Sequence, residues 1–367
     1  MMISCLAKKV IPFCMAVGVI GFTPHQIAAS NALFNDNRSE RASQNPADYK
    51  VVYKGEKGPG LGKNIVFIAS DHEYRSEESL PALARIMAKR YGFTCTVLFG
   101  LDQEGYIHPG SSNLKGLEIL DRADLLVLFT RFLDIEDQEM SYLDQYVKRG
   151  MPIVAFRTAT HAFHNAKNEK WGHYGWNYKG DKSDWTDGFG ERVLGETWVS
   201  HYGTNHKQSS RILIEKSQQK HPVLKGVSDM WVQSGGYTAY PKGEVLAKGE
   251  VLNGMTPDAP ADPTKELLPV VWTKTYQIEG GKKGKSLTTT HGASEDILNP
   301  GFRRLAINGM FWAMGMEKSI KAKNNIDFVG PYTPTTFNFD GYKTKVKPAD
   351  LAGWDSLIMP GEVLKKK

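Results

Sequence analysis

The stretch AFRTATHAFH, residues 155–164, places Arg157, Thr158, Thr160, His161 and His164 together where a short apolar run ends. A histidine titrates near neutral pH and can give or take a proton, so His161 is a candidate acid or base; His291, in the THG that closes another apolar run, is a second. Arg157 and Arg131 each offer a planar fork of donors suited to a developing oxyanion or a polyhydroxylated ligand. The run DHEYRSEE adds Asp71, His72, Glu73 and Arg75, which either bind substrate or tie their own loop to backbone amides and to one another. Thr158 is a further substrate contact. As a nucleophile, Thr158 or Thr160 would need an adjacent base, and the Gly-x-Ser-x-Gly elbow is absent. His161, His164 and His201 are candidates to share a divalent metal through neutral imidazoles, yet no HExxH-type signature accompanies them. The plainer alternative for His164 and His206 is a loop histidine bonded to backbone.

These side chains need elements to aim them. NIVFIAS (64–70), TCTVLFG (94–100), DLLVLFT (124–130) and PIVAF (152–156) are apolar runs of the kind buried on both faces of a parallel sheet. Between them, EESLPALARIMAKRYG puts Leu80, Leu83, Ala84, Met87 and Tyr91 on one helical face and stops at Gly92. A second helix is expected from Ile135 to Arg149 with Asp134 as its cap. Alternation of this kind predicts an α/β, doubly wound and mainly parallel sheet with helices on both faces. The loops that follow the strands, DHEYRSEE, TRFLD and RTATHAFH, should then meet at one edge. Beyond residue 160 the chain is rich in Gly and Trp, read as a lid or wall in which Trp171, Trp176, Trp185 and Trp198 either pack or stack on a sugar. Strands resume at 211–216, 268–276 and 285–292. Asn299 and Pro300 then open a helix that is apolar almost all round. Residues 321–367 read as an extension packed on the domain of 63–320.

The first stretch bears on compartment. Lys8 and Lys9 precede VIPFCMAVGVIGF, and small residues follow at Ala28, Ala29 and Ser30, the pattern of a cleaved secretory signal over 1–30. Residues 31–62 read as a linker. The expected location is periplasmic or extracellular, with no stable membrane insertion after cleavage, since the apolar run falls short of the roughly 20 residues that span a bilayer. Cys5 and Cys14 would leave with the signal, so Cys95 would remain without a disulfide partner. The formal charge of +6 falls further with Lys8 and Lys9, and no basic cluster beyond Lys365 to Lys367 argues for nucleic acid.

The segments GMPIVAFRTATHAF, RVLGETWVSHYG, HPVLKGVSDMW, LPVVWTKTY and TTTHGASEDILNPGFRRLAINGMFWAMG resemble, in kind and order, the ThuA-like (trehalose-utilisation) family. That resemblance implies the flavodoxin-like fold of class I glutamine amidotransferases and a small carbohydrate ligand, a keto-sugar or an oxidised glycoside. Relatives usually carry a histidine directly after the fourth strand; here Arg157 stands there, with His161 following, which marks a divergent, secreted subgroup. Amidotransferase relatives hold a nucleophilic cysteine at this turn, and no cysteine follows Ala155, so thiol-based amide hydrolysis is excluded. The resulting expectation is proton transfer beside a carbonyl, with His161 and His291 as acid or base and Arg157 steadying the oxyanion. Asp71, His72, Glu73, Arg75, Arg131, Thr158, His201 and Trp198 would bind substrate. No cofactor is expected, a divalent metal on His161, His164 and His201 being the exception to test. A non-catalytic carbohydrate-binding module and a metal-dependent hydrolase are the alternatives.

Overall fold

In the run NIVFIAS, Ile65, Phe67 and Ala69 join one buried cluster while Val66 and Ile68 join another. Strand side chains alternate between faces, so a continuous apolar run must be covered on both. This run is β2 (Asn64–Ser70), and the computed structural model, which describes residues 45, 48–165 and 168–364, places it inside a ten-stranded sheet. The same division holds for β4 (Leu125–Thr130), with Leu125, Val127 and Phe129 on one side and Leu126 and Leu128 on the other.

β3 (Thr94–Phe99), β2, β4, β5 (Ile153–Phe156) and β12 (Gly284–Thr289) lie side by side in that order, all parallel. Chain order runs outward from β2 in both directions, so the switch point lies between β2 and β4, where ligands of open α/β sheets bind at the carboxyl edge. Helices α1 (Ser76–Tyr91) and α3 (Pro300–Ala313) cover one face; α2 (Asp137–Lys148) and the aromatic insertion cover the other. Gly92 ends α1 at φ +85°, donating its N–H to Ala88 O at 2.9 Å, and Asn299 Oδ1 caps α3 by accepting from Phe302 N at 2.9 Å. The predicted flavodoxin-like α/β centre is therefore present.

Other expectations change. The sheet continues past β12 through β11 (Leu268–Tyr276), β10 (Glu244–Leu252), β7 (Ser209–Ile214) and β8 (Met230–Val232), each antiparallel to its neighbour. No α-helix separates these strands, only two short 3-10 turns between β7 and β8, and a parallel pairing needs a long crossover, so this half is antiparallel. Within the stretch read as a linker, Lys50–Lys54 forms β1, antiparallel to β3 at the sheet edge. α2 begins at Asp137 with Glu136 in the cap position; Asp134 instead receives His164. The signal-peptide reading falls outside the described residues.

The C-terminal segment lies on α1. Arg85, wholly buried, donates to Leu351 O, Ser356 O and Ser356 Oγ at 2.6–3.0 Å; Glu78 receives Thr335 N at 2.7 Å and the Thr335 hydroxyl. Its Phe337 is buried against Tyr74, and Phe339 reaches the rim of the carboxyl edge beside His72.

Candidate active site

The loop after β2 is held by Asp71, whose Oδ1 accepts the backbone N–H groups of Glu73 and Tyr74. That turn aims Glu73 at Arg131, which follows β4, and the two pair at 2.5 Å. Asn205 spans to the same loop, donating to Glu73 Oε1 at 3.4 Å and Tyr74 OH at 2.9 Å. Since β2 and β4 are neighbours, Glu73 and Arg131 cross the switch point itself.

After β5 the chain turns sharply. Arg157 has φ +45°, a left-handed conformation that costs about 1–2 kcal/mol for a residue with a Cβ. Its Nη1 donates to Gly235 O (2.6 Å), Thr290 O (2.9 Å) and Ser234 Oγ (3.2 Å), and its guanidinium sits 3.6 Å from the Tyr74 ring centre and 4.8 Å from that of Tyr237. Hydrogen bonds from a charged donor contribute about 1.5–3 kcal/mol apiece, so they outweigh the strain. The turn carries His161 inward, with the imidazole Nδ1 3.1 Å from Thr160 Oγ1. Thr160 spends its hydroxyl proton on Arg157 O, so Nδ1 of His161 must be the donor and Nε2 the acceptor.

His291 is held in the same way. Ser234 Oγ donates to Asp296 Oδ2 at 2.6 Å, which leaves it to accept from Arg157 Nη1 and, at 3.1 Å, from His291 Nδ1. Asp296 in turn receives the amides of Gly292, Ala293 and Ser234. The serine bridges histidine and aspartate, so it is not a Ser-His-Asp nucleophile, in which the histidine bridges. Its effect is to fix His291 as the Nδ1–H tautomer with a bare Nε2, a buried atom with no partner in the protein.

Aromatic rings wall in His161: Phe132 at 4.9 Å, Trp198 at 5.5 Å and Tyr237 at 5.6 Å between ring centres, with Trp176 packed on both Phe132 and Trp198. Burial first, then the positive charges of Arg131 and Arg157, hold the His161 imidazole well below its usual pKa. Burial, then Arg157, does the same for His291. Both are neutral bases at pH 7.

A family model described as trehalose utilisation, ThuA, matches residues 65–313, which span β2 to the end of α3. The chain belongs to the ThuA family. Among solved structures, it is similar to a ThuA-like protein from Bacteroides uniformis, with 15% identity and a TM-score of 0.43 over 74% of this chain and 98% of the other. A ThuA-like protein from Parabacteroides merdae gives 16% identity and a TM-score of 0.43 over 75% of this chain and 96% of that one. No curated protein matches the sequence.

On this ThuA scaffold, Glu73, Arg131, His161, Trp198 and His201 gather around one spot, and His72 adjoins them through Phe132. Arg157, Thr158 and His291 lie at the same edge but fully buried, and Arg157, donating to Gly235 O and Thr290 O, holds its neighbours in place. Two residues are turned elsewhere. Arg75 turns away at φ +61° to meet Glu77 (3.5 Å) and Asn338 O (2.6 Å), because the C-terminal segment closes over it. His164 is drawn to the surface by Asp134 at 3.4 Å, and among the described residues no group of three or more His, Cys, Asp and Glu side chains is arranged to hold a metal. Trp171 and Trp185 are packing, buried in the cluster with Tyr174 and Phe189. Tyr74, Asn205, Ser234, Tyr237, Asp296 and Phe339 were not foreseen, although Tyr74 stands between Glu73 and Arg75, Asn205 beside His206 and Asp296 just past the THG turn.

Proposed function

We propose that this ThuA-family chain acts, after export, on a keto-sugar or oxidised glycoside by moving a proton at the carbon next to the carbonyl. One observation carries the reading. Polar atoms without a partner in the protein collect on the loops at the carboxyl edge and are of both kinds: donors at Trp198 Nε1 and Arg131 Nε, acceptors at Asp71 Oδ2 and His291 Nε2. Buried polar groups are nearly always paired, so such a set calls for a ligand that both gives and takes hydrogen bonds. A simple anion only accepts; a sugar does both, and its apolar ring face suits Trp198 and Phe132.

In this scheme His161 Nε2 takes the proton, the electron pair moves to the carbonyl oxygen as an enolate, and the Arg131 guanidinium steadies that charge. Arg157 keeps the turn that aims His161. The test measures fructose and lactulose, both of which ring-open to a ketone, for a rise in melting temperature and for deuterium uptake next to that ketone in D2O. Exchange catalysed by the wild type and cut at least about 100-fold by His161→Asn is expected. Binding without exchange would make the chain a carbohydrate-binding module, and no response to either sugar would overturn the reading.

A further inference from the structure

We infer that the ligand of this site carries a carboxylate directly beside its ketone, which makes its class the 2-keto sugar acids. The inference rests on the keto-sugar reading above and adds an acid group at a stated place.

Arg131 sets the requirement. Glu73 Oε2 occupies its Nη1 at 2.5 Å, while Nε is buried with no partner in the protein. Nε and Nη2 lie along one edge of a guanidinium and point their hydrogens the same way, so that edge fits two oxygens side by side in its own plane. The ring centres of Phe132 and Phe339 stand 5.2 and 5.1 Å from the guanidinium carbon, and the side chain is only 11% exposed, so water reaches this edge poorly. In such surroundings a hydrogen bond to an ionised acceptor is about twice as strong as one to a neutral oxygen.

The charge around the reacting base agrees. After burial, the groups that act most on His161 are Arg131 and Arg157, both positive. Among the described residues Arg157 is in ion-pair contact with no carboxylate; its Nη1 donates to two carbonyls and a hydroxyl. A neutral sugar would supply oxygens to the Arg131 edge but no negative charge.

A 2-keto acid supplies both. Its ketone oxygen and one carboxylate oxygen lie side by side in a planar unit, matched to Nε and Nη2. When His161 Nε2 takes the proton from the carbon on the other side of the ketone, the electron pair of that C–H bond moves to the ketone oxygen. The enolate charge then forms on an atom that Arg131 already holds, and the carboxylate makes and breaks no bond. Trp198 Nε1, the other unpaired donor beside His161, is left for a hydroxyl further along the chain of the ligand.

Calorimetry of the wild type with fructose, 2-ketogluconate and 5-ketogluconate tests this. The second is fructose with its first carbon oxidised to a carboxylate, and the third has the same groups with the ketone far from the acid. 2-Ketogluconate should bind at least about tenfold more tightly than either of the others. Arg131→Lys, which keeps the charge but loses the in-plane edge, should bring all three to within about threefold, with thermal melts confirming that it folds. Equal binding of 2-ketogluconate and fructose, equal binding of the two acids, or a tenfold preference retained by folded Arg131→Lys would overturn the inference and leave the keto-sugar reading intact. The first two comparisons need no variant. Failure of the wild type to bind any of the three would overturn both.

Discussion

At the scale of single residues, Arg157 separates charge from shape. Its one nitrogen serves three acceptors while the plane of the guanidinium lies against Tyr74 and Tyr237. Arg157→Lys keeps the charge but loses the plane and the fork, and should lower unfolding stability by about 1.5–3 kcal/mol in a denaturant titration. An unchanged denaturation midpoint would mean that Arg157 does not hold the turn. His161 was legible in the sequence because a strand end followed by a histidine says where the side chain must go. The Ser234–Asp296 pair that fixes His291 was not, since Ser234 arrives from the distant antiparallel half and nothing local marks it.

Among the elements, those coded by local rules were the readable ones. α3 was placed by Asn299, Pro300 and an apolar run, and Asn299 does cap it while also donating to Asp229 O at 2.8 Å. Asn299→Ala should cost about 1 kcal/mol in thermal or chemical unfolding with sugar binding unchanged. A loss well below that value would show the cap to be redundant with packing. β10 escaped notice because its register shifts between Val245 and Lys248, which breaks the two-residue alternation a strand otherwise displays. β1 was missed for a related reason: an edge strand with exposed Val52 and Lys54 does not stand out from polar surroundings.

For the molecule as a whole, buried titratable groups make stability depend on pH in two opposed ways. His161 and His291 sit below the usual histidine pKa, so as pH falls through about 6.5 the unfolded chain takes up protons that the native state refuses, and stability declines. Burial, only partly offset by Arg75, pushes the Glu77 carboxyl up to about 8, so between about 4.5 and 8 the native state keeps a proton the unfolded chain releases, and stability falls as pH rises. His161→Asn should therefore flatten the rise in stability from pH 5.5 to 6.5 by up to about 1.4 kcal/mol per pH unit, and Glu77→Gln should steepen it. Urea titrations across that interval check both, and parallel pH profiles for all three proteins would refute the assignment. The segment lying over α1 also sets an order of events in time. Arg75, Glu78 and Arg85 find their partners at Asn338, Thr335 and Ser356, 257 to 271 positions further along the chain. During synthesis those side chains emerge long before anything can cover them, and they remain hydrated until the distant partners arrive. Closure of the parallel half is thus among the last steps of folding, and a nascent chain stays open, its ionic groups in water, for most of its translation.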